Sequence, residues 1–443
     1  MITYKKHYKS LIVLGVPIII GQMGTILQSF ADTVMVGHYG TLELSSAGFT
    51  NNVFNLILIA MMGFSYGSTP VIGGYYGRGD QLDAGRVMKE SILSNIMVWA
   101  LALFAATIVY VNLENMGQPS ELMHLIKPYF LVLLASLLPQ AIFNAMKQFC
   151  DGVADTRTPM WIMLMGNVLN IIGNYCLIFG KFGCPEMGLL GAGLSTLFAR
   201  IVMAISIVGV VFASARYKVY ISGFKMPATR SGFKHLCRLG FPISLQMGME
   251  ASSFNICAVM MGWLGAGALA AHQIMCTVGS LCFMIYYGIG ASTAVRISHF
   301  RGRGDWVEVR RSAFAGFSMT LLAGVCISCI IFIFRTELIS LFTSDADVVA
   351  IALTIIPPLM IYQFGDSMQT VFANALRAIE DVKMMMIHAF IAYVLVSIPL
   401  SALFAFGFGW GPAGIWYAFP FGLTTAGVLF YTRFNAQTKK KLA

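Results

Sequence analysis

Apolar runs long enough to cross a bilayer as helices return along the chain roughly every 35 residues. They predict twelve transmembrane helices, near 11–36, 48–75, 90–111, 124–148, 160–180, 188–213, 236–260, 272–296, 312–334, 350–375, 384–407 and 411–432. The second six repeat the first at an offset of 225 residues. Leu14-Gly15-Val16-Pro17-Ile18 returns as Leu239-Gly240-Phe241-Pro242-Ile243, Val34-Met35-Val36-Gly37 as Val259-Met260-Met261-Gly262, and Gly77-Arg78-Gly79-Asp80 as Gly302-Arg303-Gly304-Asp305. Six spans per copy is an even number, so both copies enter the membrane in the same orientation, as parallel repeats about an axis along the membrane normal. The expected fold is an all-α membrane protein with twelve transmembrane helices in two six-helix lobes. The lobes are expected over 1–215 and 236–443, joined by a cytoplasmic linker over 216–235.

Composition agrees with that pattern: 58% of residues are hydrophobic and 11% charged, where soluble domains carry about a quarter charged. The net charge of +10 does not point to nucleic acid, because its distribution follows the membrane. With the N-terminus inside, 25 of the 29 Lys and Arg fall on cytoplasmic segments, which is the positive-inside bias. Both termini are then cytoplasmic. The apolar run after Lys5, Lys6 and Lys9 contains Pro17 and continues through Gln22, Gln28 and Asp32 without a small-residue cleavage site, so it reads as an uncleaved first span. Nine cysteines, most of them inside spans, make no disulfide framework, and the Cys326/Cys329 pair reads as lipid- or core-facing filler. The two Arg-Gly-Asp triplets, 78–80 and 303–305, read as solvated cytoplasmic turns whose glycine ends a helix. There is no GxxxxGKS phosphate loop to use ATP.

Three carboxylates interrupt the apolar helices: Asp32, Glu250 and Asp366. An Asp at the middle of a membrane helix costs roughly 2.5–3.5 kcal/mol on the insertion scale, so such a group marks a functional site by default. The acids also break the duplication, since Asp32 falls on Cys257 and Glu250 on Thr25 at the repeat offset. Each sits in a polar stripe: Gln28 lies four residues before Asp32, Gln246 four before Glu250, and Gln363 three before Asp366, with Tyr362 one turn before the last. Gln140, Asn144 and Gln148, Asn51 and Asn55, and Asn170 and Asn174 continue a polar seam. Carboxylate and amide oxygens are hard ligands that suit Na⁺, H⁺ or an organic cation, and no His/Cys cluster suggests a transition metal. Arg200, near the middle of the sixth span, has no assigned role at this level.

The segments Pro17…Gln28…Asp32-Thr33-Val34-Met35-Val36-Gly37, 77–86 with its copy at 302–311, Asp151-Gly152…Asp155-Thr156-Arg157-Thr158-Pro159 and Tyr362-Gln363…Asp366…Leu376-Arg377 resemble the multidrug and toxic compound extrusion (MATE) family, in its NorM-like bacterial branch. The resemblance runs through the whole chain. It implies two lobes around a central cavity and a secondary antiporter, not an enzyme. Such a protein exports organic cations and drugs in exchange for Na⁺ or H⁺ by alternating access in the bacterial inner membrane. It further implies that Asp32 is the first-span acid, that Glu250 and Asp366 are the cation-coupling pair, and that Asn170 and Asn174 line the N-lobe site. Another branch places a second carboxylate near Asn174; this chain does not, which shifts the expected Na⁺ site to Glu250 and Asp366. The expected cavity residues are Gln28, Asn170, Asn174, Gln246, Tyr362 and Gln363. No cofactor is expected beyond the coupling ion, and the expected partners are organic cations and membrane lipids, with no nucleic acid, for a monomeric chain. A lipid-linked saccharide flippase of the same superfamily is the alternative, but it would require several cavity Arg or Lys, of which only Arg200 qualifies.

Overall fold

In the computed structural model the described residues are 4–116 and 119–442, and they are helical almost throughout. The helices are α1 (Tyr4–Tyr39), α2 (Thr41–Ser65), α3 (Ser68–Arg78), α4 (Gln81–Val111), α5 (Ser120–Ala135), α6 (Leu137–Gly152), α7 (Arg157–Ile178) and α8 (Gly188–Ala213). A short α9 (Lys218–Phe224) follows, then α10 (Arg230–Trp263), α11 (Ala266–Gly302), α12 (Trp306–Ile333), α13 (Arg335–Ser340), α14 (Ala346–Ala378), α15 (Val382–Ala389), α16 (Ile398–Ala402) and α17 (Gly411–Leu442). Two π-helical stretches, Phe390–Ser397 and Leu403–Gly407, run through the eleventh span.

All twelve expected spans are found as helices, several of them longer than the apolar run that announced them. The third begins at Gln81 and the last ends at Leu442, because each helix continues past its apolar run into a segment carrying charged residues, Asp83, Arg86 and Lys89 in one and Lys439, Lys440 and Lys441 in the other. The 36 residues of α1 rise about 54 Å, well beyond a ~30 Å core. Among the described residues eleven helical segments are apolar enough to be read as spans from hydropathy alone. The seventh, α10, is 34 residues long, but Gln246, Glu250 and Asn255 dilute its apolar character.

The chain divides into two compact units. One holds the chain up to Ile19 together with everything from Leu245; the other holds Ile20–Ser244. The division therefore cuts α1 and α10, and at equivalent points: Ile19 and Ser244 differ by the repeat offset, and each lies two residues beyond Pro17 or Pro242. The first half of α1 packs within the unit that contains α11–α17. There the His7 ring is fully buried against the Glu308 carboxylate (2.8 Å), which also accepts from Arg311 (2.6 Å). The first half of α10 packs within the other unit, where Glu90 accepts from the backbone N–H and hydroxyl of Thr229 (2.7 and 2.8 Å). Lobes that follow the sequence halves, 1–215 and 236–443, differ from these units in the first halves of α1 and α10.

Apolar association between membrane helices gains little from the hydrophobic effect, so close packing and polar contacts must hold them. In the Ile20–Ser244 unit Phe54, Phe64, Tyr129, Phe130 and Leu133 form an interior cluster, with the Phe54 and Phe130 rings edge to face at 4.7 Å. The stretch expected as a linker is ordered. After a 3₁₀ turn at Ala215–Tyr217, α9 lies on α4 through reciprocal glycine contacts: a Cβ at Gly85 would enter the Tyr220 carbonyl, and one at Gly223 the Leu82 carbonyl. Both Arg-Gly-Asp turns are left-handed at their glycine, Gly79 at φ 86° and Gly304 at φ 75°, as a helix-ending glycine should be.

These contacts generate a prediction. Gly85→Ala or Gly223→Ala should force α9 off α4 and destabilise the chain by about 1–3 kcal/mol, the usual cost of overpacking. Gly209→Ala, where an added Cβ meets open space, should change little. Thermal unfolding of the purified variants checks both; equal melting temperatures for all three would refute the packing assignment.

Candidate functional site

Each unit contains a polar network built around an acid from the second half of α1 or α10. In the Ile20–Ser244 unit that acid is Asp32, half-buried on α1. One helical turn earlier, Gln28 donates its amide to Asp32 Oδ2 at 3.3 Å. From α7, Asn174 Nδ2 donates to Asp32 Oδ1 at 2.5 Å and also lies 3.4 Å from Asn170 Oδ1. Asn170 in turn donates to Thr196 Oγ1 on α8 (3.2 Å), and its carbonyl accepts from Ser195 (2.7 Å). Asn170 and Asn174 are fully buried, one turn apart on the same face of α7. The expected residues Asp32, Gln28, Asn170 and Asn174 thus form one connected network.

The remainder of the N-terminal seam is divided. Gln140 pairs with Asn144 (3.0 Å), Gln148 receives Thr69 (2.6 Å), and Asn51 receives the Tyr129 hydroxyl (3.1 Å); none of these bonds reaches Asp32. Asn55 is exposed. Arg200, unassigned from sequence, donates from Nη1 to Ser136 Oγ at 2.7 Å. Ser136 is fully buried at the break between α5 and α6.

In the other unit Glu250 and Asp366 are brought together by a residue the sequence reading passed over. Gln369 Nε2 lies 3.0 Å from Glu250 Oε1 and 3.2 Å from Asp366 Oδ1, so one amide serves both carboxylates. Tyr393, from the π-helical stretch, donates to Gln369 Oε1 at 3.0 Å and fixes which way the amide points. Thr370 donates to Asp366 Oδ1 at 3.3 Å. Gln246 donates to Glu250 Oε2 at 3.0 Å while its own oxygen accepts from Arg377 at 2.6 Å. Asp366 is 1% exposed, and its Oδ2 is buried with no hydrogen-bond partner.

Gln363 and Tyr362 lie beside this cluster. Gln363 accepts from the Tyr286 hydroxyl at 2.8 Å, and its Nε2 is buried without a partner. Tyr362 packs among Phe254, Trp416 and Phe419, with centroids 6.3–6.5 Å away. Sequence signals for the missed residues existed in part. Gln369 and Thr370 stand three and four residues after Asp366, on the same helical face, so the spacing that places Gln363 before the acid also places these two after it. Tyr393 carries no local signal, since it arrives from a different helix.

Two carboxylates that share one neutral donor in a low-dielectric interior repel each other, and they draw in a proton or a cation. A hard cation such as Na⁺ fits the donor set: the Glu250 and Asp366 carboxylates, the latter with its unpartnered Oδ2, and the Thr370 hydroxyl offer oxygen ligands only.

Comparison with known proteins agrees with this architecture. The family model described as MatE matches residues 17–176 and 242–403, one stretch in each half of the sequence. The chain is 30% identical over 442 residues to the "Probable multidrug resistance protein NorM" of Rhizobium meliloti, covering 98% of this chain and 94% of the relative. It is 28% identical over 450 residues to the "Multidrug resistance protein PmpM" of Pseudomonas aeruginosa, covering 98% and 93%. Among solved structures, an outward-facing multidrug resistance MATE family transporter of the MOP superfamily superimposes with a TM-score of 0.90 at 19% identity, over 98% of this chain and 96% of that one. The Vibrio cholerae MATE transporter VcmN in its bent form gives 0.89 at 19% identity, over 99% and 98%.

The Asp32 network generates its own prediction. Asn174→Leu removes the shortest donor to a carboxylate in the membrane interior and should cost about 1–3 kcal/mol, the penalty of an unsatisfied buried polar group. Replacing both partners, Asp32→Leu with Asn174→Leu, should recover most of that loss. Thermal denaturation in detergent measures both. A double variant no more stable than Asn174→Leu alone would show that the bond does not hold α7 to α1.

Proposed function

The chain belongs to the MatE family, and from that premise we propose that it is a secondary active antiporter. In this reading it exports organic cations and drugs across the bacterial inner membrane in exchange for Na⁺ or H⁺ by alternating access, as a multi-pass monomer with both termini in the cytoplasm. The observation that carries the reading is the Glu250–Gln369–Asp366 cluster, where two buried carboxylates share one amide and one carboxylate oxygen has no partner. The names of the NorM and PmpM relatives support a drug exporter.

The cycle follows from competition for charge. A coupling cation held by Glu250 and Asp366 neutralises them, and an organic cation bound at carboxylates of the same protein meets weaker attraction while the ion is present. Loading with one therefore favours release of the other, and the two opposite gradients become linked. A tenfold ion gradient supplies about 1.4 kcal/mol, and a 100 mV membrane potential supplies roughly 2.3 kcal/mol per net charge moved. One-for-one exchange of monovalent cations moves no net charge, so only the ion gradient drives it and steep export requires more than one coupling ion. Gln369 acts as a positioning residue here, because the Tyr393 hydroxyl holds its amide toward both acids.

Efflux from proteoliposomes, with Na⁺ and H⁺ gradients imposed one at a time, tests the reading. One gradient should accelerate export of a fluorescent organic cation. Glu250→Gln and Asp366→Asn should each cut that acceleration tenfold or more, and Gln369→Leu by a smaller but clear factor. Unchanged efflux in Asp32→Asn, Glu250→Gln and Asp366→Asn alike would sink the carboxylate mechanism.

A further inference from the structure

The duplication lets one unit show what fills a given place in the other. In the unit that joins the chain up to Ile19 to everything from Leu245, that place holds the fully buried His7 ring. Its Nε2 lies 2.8 Å from Glu308 Oε2, and its Nδ1 lies 3.3 Å from Arg296 Nη2 and 3.2 Å from Ser312 Oγ. A guanidinium can only donate, so Nδ1 accepts and the Nε2–H donates to Glu308. The ring is thus gripped as a neutral donor and acceptor. Phe300 packs beside it, with ring centroids 5.9 Å apart.

At the 225-residue offset His7 falls on Gly232, Arg296 on Val71, Phe300 on Tyr75, Arg311 on Arg86 and Ser312 on Val87. In the Ile20–Ser244 unit these five counterparts line one cavity of about 350 Å³, together with Glu90, Thr229 and His235. The two units have exchanged a long side chain for a short one across this place. Glu90 falls on Ala315, and a Cβ at Gly232 would come within 2.0 Å of Glu90 Oε2. The carboxylate therefore stands where a side chain on α10 would begin, and the cavity lies beyond it. Its polar groups are only partly used. Glu90 is 1% exposed; its Oε1 takes both the N–H and the hydroxyl of Thr229, and among the described residues its Oε2 accepts no hydrogen bond. Arg86 gives Nη2 to Asp83 at 2.8 Å, and its Nε is buried without a partner. Val71, Val87 and the Tyr75 ring supply apolar and aromatic wall.

We propose that this cavity, between α3, α4 and the start of α10, is a binding site for a small uncharged nitrogen heterocycle of the imidazole class, a free counterpart of the His7 side chain. A ring N–H donates to Glu90 Oε2, a second ring nitrogen accepts from the Arg86 guanidinium, and the ring faces lie against Val71, Val87 and Tyr75. Charge selects against the alternatives, because an anion meets the Glu90 carboxylate and a cation meets Arg86. Hydrogen bonding selects further. A ligand that only donates leaves the guanidinium unmatched, and one that only accepts turns a lone pair on Glu90; an unsatisfied buried group costs more than one bond returns. The volume stands at the lower end of the roughly 300–1,000 Å³ typical of small-molecule sites, enough for a ring and a short substituent. The site shares no residue with either acid network, so it stands apart from the antiport reading.

Thermal unfolding of the purified full-length chain across a series of imidazole concentrations tests this, at alkaline pH where the ring is uncharged. The melting temperature should rise along a binding curve with a Kd on the order of 1 mM, within reach of a five-atom ligand. Two probes of the same shape separate the bonds: 1-methylimidazole has no ring N–H, and pyrrole has no ring acceptor. Each should bind about tenfold more weakly than imidazole or worse. Gly232→His with Glu90→Ala installs the side chains of the other unit, so the chain fills its own cavity and imidazole affinity should fall about tenfold or more. Val71→Phe fills the cavity from α3 and should do the same, which keeps the test decisive if the double variant does not fold. Equal stabilisation by all three probes would overturn the proposal. So would an imidazole response that persists in whichever filled variants fold, or no rise in melting temperature at concentrations about a hundredfold above the expected Kd.

Discussion

The structure turns on keeping a carboxylate ionisable where water does not hydrate it. A buried acid survives only if the protein supplies the donors that water would have provided, and each of the three acids here has them from at least two side chains. That requirement dictates neighbours. The Asp32 donors come from its own helix and from α7, and the Glu250 donors from its own helix and from α14. A polar network of this kind holds helices in register more specifically than apolar contact does, since membrane helices gain little from hydrophobic burial against one another. The same network leaves Asp366 Oδ2 without a partner, so satisfaction of the acids is extensive but incomplete.

Duplication provides the frame on which these networks sit. Both shared helices, α1 and α10, divide at the same repeat position just past a proline. In both, the half that follows carries the acid. Each first half is fixed by a buried carboxylate from a neighbouring helix, Glu308 against His7 in one unit and Glu90 against Thr229 in the other. The fixing groups are not repeats of each other: at the offset, Glu308 falls on Asp83 and Glu90 on Ala315. The frame repeats, and with it the Glu308–Arg311 ion pair as Asp83–Arg86, but the bonds that fix the two first halves do not, as when a duplicated fold keeps its backbone plan and exchanges side-chain chemistry.

Much of this was legible in the sequence, and the limits have physical reasons. Apolar run length announces a span, so the helices were found; it says nothing of where a helix stops once it leaves the hydrocarbon, so α4 and α17 run further than expected. Polar spacing of three and four residues places Gln28 beside Asp32 and Gln246 beside Glu250, because that contact is local to one helix. The Gln369 bridge, the Tyr393 hydroxyl and the Arg377 bond to Gln246 join residues from different helices, and hydropathy carries no such information. The division of α1 and α10 between units escaped for the same reason. An uninterrupted apolar run reads as one element, whatever packs against its two halves.

The departures from the repeat carry more information than the repeat itself. At the 225-residue offset Asp32 faces Cys257, Asn174 faces Pro399, Asp366 faces Ala141 and Gln369 faces Asn144. None of the three acids has an acidic counterpart at the offset, although Gln369 and Asn144 are both amides. An ancestral site kept in both copies would have left matching acids at these places. Because it did not, the two networks differ in net charge as well as in composition, one holding two acids and the other one. Two acids that share one amide and a single acid held by two amides are chemically different sites, so the departures from the repeat give the two halves different polar chemistry.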